Sequence, residues 1–295
     1  MHRKPRGFRN HYRNNMPWSE VAIKDTRSIF NDLIAFFHNG GSLPAFVVVP
    51  DYPSKKTTIF KIARRLGFRI TNKRLKRPRL VIWFHDTTNA SSALLEQHYP
   101  QHRVLNAGCT DISKTTVDRI HSEIFGYNTF IDPKTHQGNA VEKSDINALH
   151  DGSIVRCPVT STKTNAVYQI VIDNSAGNGE FLDYRVPVIG HAIPLVYAKY
   201  KREIVRFTND VHRSELQEVD DIFSAEEQMH ILRFTQAMGA DFCELDILRD
   251  NTSGKIYIID VNKTPYGPPK GLGKRNTLRA ISRLSDAFKQ AFLGQ

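Results

Sequence analysis

The chain of 295 residues is 40% hydrophobic and 24% charged, which is typical of a globular protein with a substantial core. It has no run near the roughly 18 apolar residues of a membrane span and no apolar N-terminal segment typical of a secretory signal, so we expect a cytoplasmic protein. Its three scattered cysteines show no metal-binding or disulfide spacing, and its net charge of +11 favours anionic partners.

The N-terminal third predicts a small α/β domain. Residues 1–16 are basic and polar, and we expect a disordered arm there, with an anion-binding tail as the alternative. Helical periodicity over Thr26–Asn39 precedes the apolar strand Ala45–Pro50. Further alternation of helices and apolar strands to residue 110 predicts a Rossmann-like domain over residues 17–110 that lacks the G-x-G-x-x-G fingerprint. The polar run His85–Asn89 follows a strand, where it forms a substrate-site candidate or caps the next helix.

Lys114, in the middle of the chain, is a candidate for phosphate binding. Lys114 begins an amphipathic helix that ends at Gly126, and a helix N-terminus attracts phosphate. Lys143 ends the short strand Ala140–Lys143. For Lys114 the alternative is an ordinary surface lysine.

Three predicted strands follow. The first, Ala166–Asp173, is apolar and β-branched, and the second carries Asp183-Tyr184-Arg185. Arg185 offers a planar fork to a carboxylate or a phosphate. Strand alternation places Lys199 and Lys201 on one face of the third strand, either as phosphate ligands or as two exposed lysines.

A hairpin near the C-terminus carries the strongest signal. Alternation predicts that one face of the first strand carries Phe242, Glu244, Asp246 and Leu248. It predicts that one face of the partner strand carries Ile256, Ile258, Asp260 and Asn262. A turn at Asn251–Gly254 brings Asp246 close to Asp260. Like charges across a strand pair are destabilising, whereas carboxylate and amide oxygens suit Mg²⁺. The alternative is an exposed acidic ladder.

The order of these motifs resembles the ATP-grasp superfamily, which includes D-alanine–D-alanine ligase, glutathione synthetase and the ribosomal-protein glutamate ligases. The resemblance rests on Asp260-Val261-Asn262 and Thr264-Pro265, preceded by Asp246, the D-x-R strand and the lysines. It implies a mixed α/β and α+β ATP-grasp fold. Its parts would be the Rossmann-like (pre-ATP-grasp) domain, a lid over residues 111–172 and a C-terminal subdomain over residues 173–295.

The resemblance also implies roles for individual residues. Mg²⁺, with Mn²⁺ as the alternative ion, would bind Asp246, Asp260 and Asn262. The hinge after the lid would contact adenine through Gln169, Ile170 and Val171, and either Asp173 or Glu180 would hold the ribose. Further nucleotide contacts would come from Lys114, Lys143, Lys199 and Lys201. The catalytic residues would be Arg185, Lys201 and Lys143.

The implied activity is an ATP-dependent carboxylate–amine (or carboxylate–thiol) ligase that acts through an acylphosphate and releases ADP and phosphate. The substrate would be an acidic or amino-acid-like small molecule or peptide. In the loop after the hairpin, Lys263, Tyr266 and Lys270 are candidate acceptor contacts, and the alternative is that this loop is only a rigid Pro/Gly turn. The first alternative is a small-molecule kinase on the same scaffold. The second is a basic nucleic-acid-binding module, which the ordered motifs disfavour. The sequence leaves the oligomeric state open.

Overall fold

The computed structural model describes residues 44–149, 151–203 and 210–294. The predicted basic arm and the helix at Thr26–Asn39 lie outside these ranges. No helix in the described ranges is long and apolar enough to cross a membrane.

A parallel sheet of four strands forms the first layer, in the order β2-β1-β3-β4. Its elements are β1 (Ala45–Pro50), α1 (Thr58–Arg65), β2 (Arg69–Thr71), β3 (Leu80–Phe84), α2 (Ala93–His98) and β4 (Val104–Leu105). The central strands are continuous apolar runs because helices cover both faces of a parallel sheet. One face packs on α1 and on the C-terminal helix α6 (Lys274–Phe292), through Phe46, Ile59 and Phe288.

The middle of the chain forms an antiparallel sheet of three strands, in the order β6-β5-β7. The elements are α3 (Lys114–Phe125), β5 (Gly138–Ser144), β6 (Ser153–Cys157) and β7 (Ala166–Ile170). Helix α3 begins where the Ser113 hydroxyl accepts a hydrogen bond from the Thr116 amide, and it ends at Gly126, whose φ of 78° favours glycine.

An antiparallel sheet of five strands completes the fold, in the order β10-β9-β8-β11-β12. Its elements are β8 (Glu180–Ile189), β9 (Val196–Arg202), β10 (Arg213–Gln217), α4 (Val219–Ile222), α5 (Ala225–Ala237), β11 (Phe242–Arg249) and β12 (Ile256–Asn262). A capping box between Ser224 and Glu227 begins α5. One face of this sheet packs against α3 and α5 through Val186, Leu245 and Phe234.

The hairpin β11–β12 has the predicted pairing at its acidic residues, because Asp246 lies directly opposite Asp260. The prediction that Ile256 and Ile258 share a face with Asp260 was wrong. A bulge shifts the register after this pair, so that Ile258 pairs with Ile247 and Ile259 is the extra residue. Both isoleucines are therefore buried in the core on the other face of the sheet.

Candidate active site

A cross-strand row of charged side chains lies on the face of the five-stranded sheet that is turned away from α5. Asp246 is opposite Asp260 on one side and Arg185 on the other. The Arg185 guanidinium donates from Nε to Oδ1 of Asp246 and from Nη2 to Oδ2, each at 3.1 Å. Burial opposes the charge on Asp246, but Arg185 and Lys199 overcome it and hold the pKa of that carboxyl far below its usual range.

Two lysines of β9 extend this charged face. Lys199 Nζ lies 2.8 Å from Asp246 Oδ1, and Lys201 Nζ lies 2.7 Å from Asp183 Oδ2. Both lysines are buried. Asp183 lies opposite Lys199, and Asp246 lies opposite Arg185. Because Asp183 and Arg185 are two residues apart on one strand, all four side chains share one face of the sheet.

Asp260 and Asn262 place further side-chain oxygens at the edge of this face. Burial and the charge of Asp246 raise the pKa of Asp260 to about 6, which Lys114 and Lys143 only partly offset. Asn262 Oδ1 accepts a hydrogen bond from the Thr264 amide at 2.9 Å, which orients its side chain. The described residues contain no cluster of three His, Cys, Asp or Glu side chains that could hold a metal. The donors here are two carboxylates and one amide, and these hard oxygens fit Mg²⁺.

The first cavity lies between the three-stranded and five-stranded sheets. Its lining includes Lys114, Lys143, Gln169, Asp183, Lys201 and Asp260. Burial and the neighbouring charge of Lys114 lower the pKa of Lys143 to about 8. The Lys114 ammonium donates to the Ile146 carbonyl at 3.0 Å. The cavity thus brings the ammonium-bearing residues Lys114 and Lys143, from the middle of the chain, close to Asp246 and Asp260.

The predicted hinge borders the first cavity. Gln169 and Ile170 line it, and Val171 lies between Ile170 and another lining residue, Ile172. The Ile170 amide donates to the Thr129 carbonyl at 2.8 Å, and the Gln169 side-chain amide donates to the Thr129 hydroxyl. These bonds attach the hinge to the segment after α3.

Neither of the two acids predicted to hold ribose is in the lining of the first cavity, although Asp173 lies between two residues that are, Ile172 and Asn174. Asp173 accepts a hydrogen bond from the Ser175 amide at 3.1 Å, and Glu180 pairs with Arg213 at 3.1 Å. Neither residue lines the first cavity, which Asp183 lines instead. The sequence held a signal for Asp183, because it is two residues before Arg185 and therefore shares the face of Arg185.

The second cavity adjoins the first, and Lys201, Asp246 and Asp260 line both. Its other walls include Lys56, Lys61, Asp86, Arg185, Tyr266 and Lys270. Tyr266 and Lys270 were predicted acceptor contacts, whereas no local pattern distinguished Lys56 and Lys61 from other surface lysines. Lys263 is different, because it is fully buried with its Nζ 4.6 Å from the centre of the Trp83 ring. Lys263 therefore joins the first sheet to the hairpin.

No protein-family model and no curated protein matches the sequence. Among solved structures, the ATP-grasp ligase PsnB complexed with minimal precursor is 14% identical, with a TM-score of 0.56 over 85% of this chain and 99% of that chain. D-alanine–D-alanine ligase from Bacillus anthracis is 13% identical, with a TM-score of 0.53 over 85% and 98% of the chains. Macrocyclase MdnC from Microcystis aeruginosa MRC, bound with precursor peptide MdnA, is 11% identical, with a TM-score of 0.50 over 86% and 100%. The protein has the fold of the ATP-grasp superfamily.

Proposed function

We propose that the protein is an ATP-dependent ligase that activates a carboxylate as an acylphosphate and joins it to an amine. The observation that carries this proposal is the row Asp260–Asp246–Arg185, whose two carboxylates line a cavity that Lys114 and Lys143 also line. The shared fold supports it, since the PsnB ligase was solved complexed with minimal precursor, Mg and ADP.

The nucleotide occupies the first cavity in this proposal. Adenine lies against Gln169, Ile170 and Val171. We assign ribose binding to Asp183, which lines the same cavity. Lys114 and Lys143 contact phosphate from the lid side, and Lys199 and Lys201 do so from the sheet. We divide the chain accordingly into a pre-ATP-grasp domain over residues 17–110, a lid over residues 111–172 and a C-terminal subdomain from residue 173.

Asp246, Asp260 and Asn262 would hold Mg²⁺ through their side-chain oxygens, and the bound ion would neutralise phosphate charge. Asp246 keeps its contacts with Arg185 and Lys199, because each carboxylate oxygen has more than one acceptor site. Asn262 is already oriented by Thr264. Two of the three proposed ligands, Asp246 and Asn262, are thus already oriented and would need little reorganisation.

The reaction begins when an oxygen of the substrate carboxylate attacks the γ-phosphorus of ATP and the bond to ADP breaks. Arg185 and Lys201 offset the negative charge that the transferred phosphoryl group spreads over its oxygens. The amine then attacks the acyl carbon, the bond to phosphate breaks and the amine loses a proton. Holding the two reactants in line supplies much of the rate.

Product analysis tests this proposal. The purified chain is given ATP, Mg²⁺ and a metabolite extract, and ADP, AMP and free phosphate are measured, with Asp260→Asn as the control. We expect ADP and free phosphate in equal amounts, only with extract, and capture of the acylphosphate by hydroxylamine as a hydroxamate. ADP without free phosphate would instead identify a kinase, and AMP as the product would contradict the acylphosphate route.

A further inference from the structure

Three lysines lie on the wall of the second cavity that the sheet does not form. Lys56 precedes α1 and Lys61 lies on its first two turns, whereas Lys270 belongs to the loop after β12. The other walls carry Asp246 and Asp260 on one side and Asp86 on another. None of the three lysines lines the first cavity, where we place the nucleotide. They therefore face the proposed reaction centre from the second cavity alone.

These lysines differ from the other cations of the same cavity in their partners. Arg185 and Lys199 are paired with Asp246, and Lys201 is paired with Asp183. In the described part of the chain, no carboxylate oxygen lies within the 4.0 Å ion-pair limit of Nζ of Lys56, Lys61 or Lys270. Asp86, the acid on their side, accepts a hydrogen bond from the Thr264 hydroxyl at 3.1 Å.

Lys61 is held in place without being neutralised. Its ammonium donates to the Gly267 carbonyl, which fixes it between α1 and the loop after β12. Glu244 lies below this loop, where its Oε1 accepts from the Thr58 hydroxyl at 3.4 Å, and an added Cβ at Gly267 would lie 2.9 Å from that oxygen. Burial lowers the pKa of Lys61, and the charge of Glu244 opposes this effect. Among the residues that the structure describes, the Gly267 carbonyl is the only hydrogen-bond acceptor of this ammonium, so its other two protons can meet an incoming anion.

We infer that the second cavity binds an acyl donor with two anionic groups, and that Lys56, Lys61 and Lys270 hold the group that does not react. The reacting carboxylate lies at Arg185 and the metal ligands, and the second anion lies at the lysine wall. This inference rests on the proposed function, and it adds a substrate class: dicarboxylates, or acidic residues of a peptide. Lys56 and Lys270 are exposed at the cavity mouth, so the wall accepts either source.

Matched anions test the inference by calorimetry on the full chain loaded with Mg²⁺ and ADP. Succinate, glutarate and adipate are compared with butyrate, valerate and hexanoate, and a Glu-Glu dipeptide is compared with its diamide. We expect at least one dianion or the dipeptide to bind about tenfold or more tightly than its matched control, because charge-assisted hydrogen bonds have that strength. Preference for the dipeptide over every small dianion identifies a peptide substrate. Equal affinity throughout all pairs would overturn the inference.

Single variants locate the effect. Lys56→Met, Lys61→Met and Lys270→Met should each reduce the preference for the dianion, with the largest loss for Lys61. Lys76→Met is the matched control, because Lys76 is exposed on the β2–β3 loop and lines neither cavity. An equal loss in the control would show a general charge effect and contradict the assignment.

A second readout separates this inference from the proposed function. An amine-reactive ester labels lysines, and mass spectrometry measures how far each anion slows the labelling of Lys61 and Lys270 relative to Lys76. Failure of the chain to bind ADP with Mg²⁺ would contradict the proposed function. The protection of the lysines from labelling tests the anion site independently of that result. No selective protection by any dianion or by the dipeptide would overturn the anion site.

Discussion

The two faces of the five-stranded sheet are built from the same strands but have opposite chemistry. One face carries Val186, Leu245 and Ile247, which are fully buried against α3 and α5. The other face carries Arg185 and Asp246, the immediate sequence neighbours of Val186 and Leu245. Burial of the apolar face stabilises the folded protein, whereas desolvation and like-charge repulsion on the charged face destabilise it. The comparison indicates that stability and chemistry can be changed separately on this sheet.

The largest predicted effect is on the charged face. Asp260→Asn removes one carboxylate from the metal ligand set, and we expect it to raise the activation barrier by roughly 3–4 kcal/mol, the size of a lost transition-state contact. The free energy of unfolding should stay the same or increase, because repulsion from Asp246 disappears. Steady-state kinetics and urea unfolding measure the two quantities. Unchanged turnover together with a lower free energy of unfolding would contradict this account, because Asp260 would then contribute to stability and not to catalysis.

The matched change on the apolar face is Leu245→Ala. Leu245 is fully buried and adjacent to Asp246, and we expect a loss of about 3 kcal/mol in unfolding free energy from lost burial and the cavity left behind. The Michaelis constant for ATP should be the same as in the parent protein below the unfolding temperature. A large change in the Michaelis constant for ATP, under conditions where the variant is fully folded, would show that the two faces are coupled.

His121 sharpens the comparison, because it is a titratable group on the apolar side of the sheet. It is fully buried among Phe125, Tyr127 and Tyr257, and neither ring nitrogen has a hydrogen-bond partner in the described structure. Burial lowers its pKa to about 4. The unfolded chain therefore takes up a proton first as pH falls below about 6.5, and stability is lost between there and the folded pKa.

At pH 5 this loss amounts to about 2 kcal/mol relative to pH 7.5. His121→Phe keeps a stacked ring without the titration, so its unfolding free energy should fall less over the same range. Urea unfolding at both pH values measures the difference. Parallel pH profiles for the two proteins would exclude His121 as the source.

The smallest predicted effect concerns Lys143, whose pKa of about 8 reflects burial and the charge of Lys114. Deprotonation above this pH removes a positive charge from the first cavity. We expect the affinity for an ATP analogue to fall by about tenfold between pH 7 and 9, the size of one charge-assisted hydrogen bond. Lys143→Met should bind more weakly at pH 7 and show a flatter profile. Equal slopes in both proteins would assign the titration to another group.

Much of this arrangement could be predicted from local patterns. Apolar runs such as Ala45–Pro50 indicated the parallel sheet, and alternation placed Lys199 and Lys201 on one face of their strand. The opposition of Asp246 and Asp260 followed from the turn residues between their strands. These features depend on residues that are close in sequence.

The features that escaped prediction depend on tertiary structure. The bulge at Ile259 separates Ile258 from the face of Asp260, and no residue type marks it. Lys56 and Lys61 reach the second cavity only because the loop after β12 packs on α1, where the Thr58 amide donates to the Pro265 carbonyl at 2.9 Å. That contact joins segments about 200 residues apart, beyond the reach of periodicity.

Calorimetry of a non-hydrolysable ATP analogue, with and without Mg²⁺, tests the central claim that the charged face binds a metal nucleotide. Binding should strengthen with Mg²⁺ in the parent protein and in Leu245→Ala, and Asp260→Asn should lose most of this dependence while retaining weak binding. Binding that is independent of Mg²⁺, or equal dependence in all three proteins, would contradict the assignment of Asp246, Asp260 and Asn262.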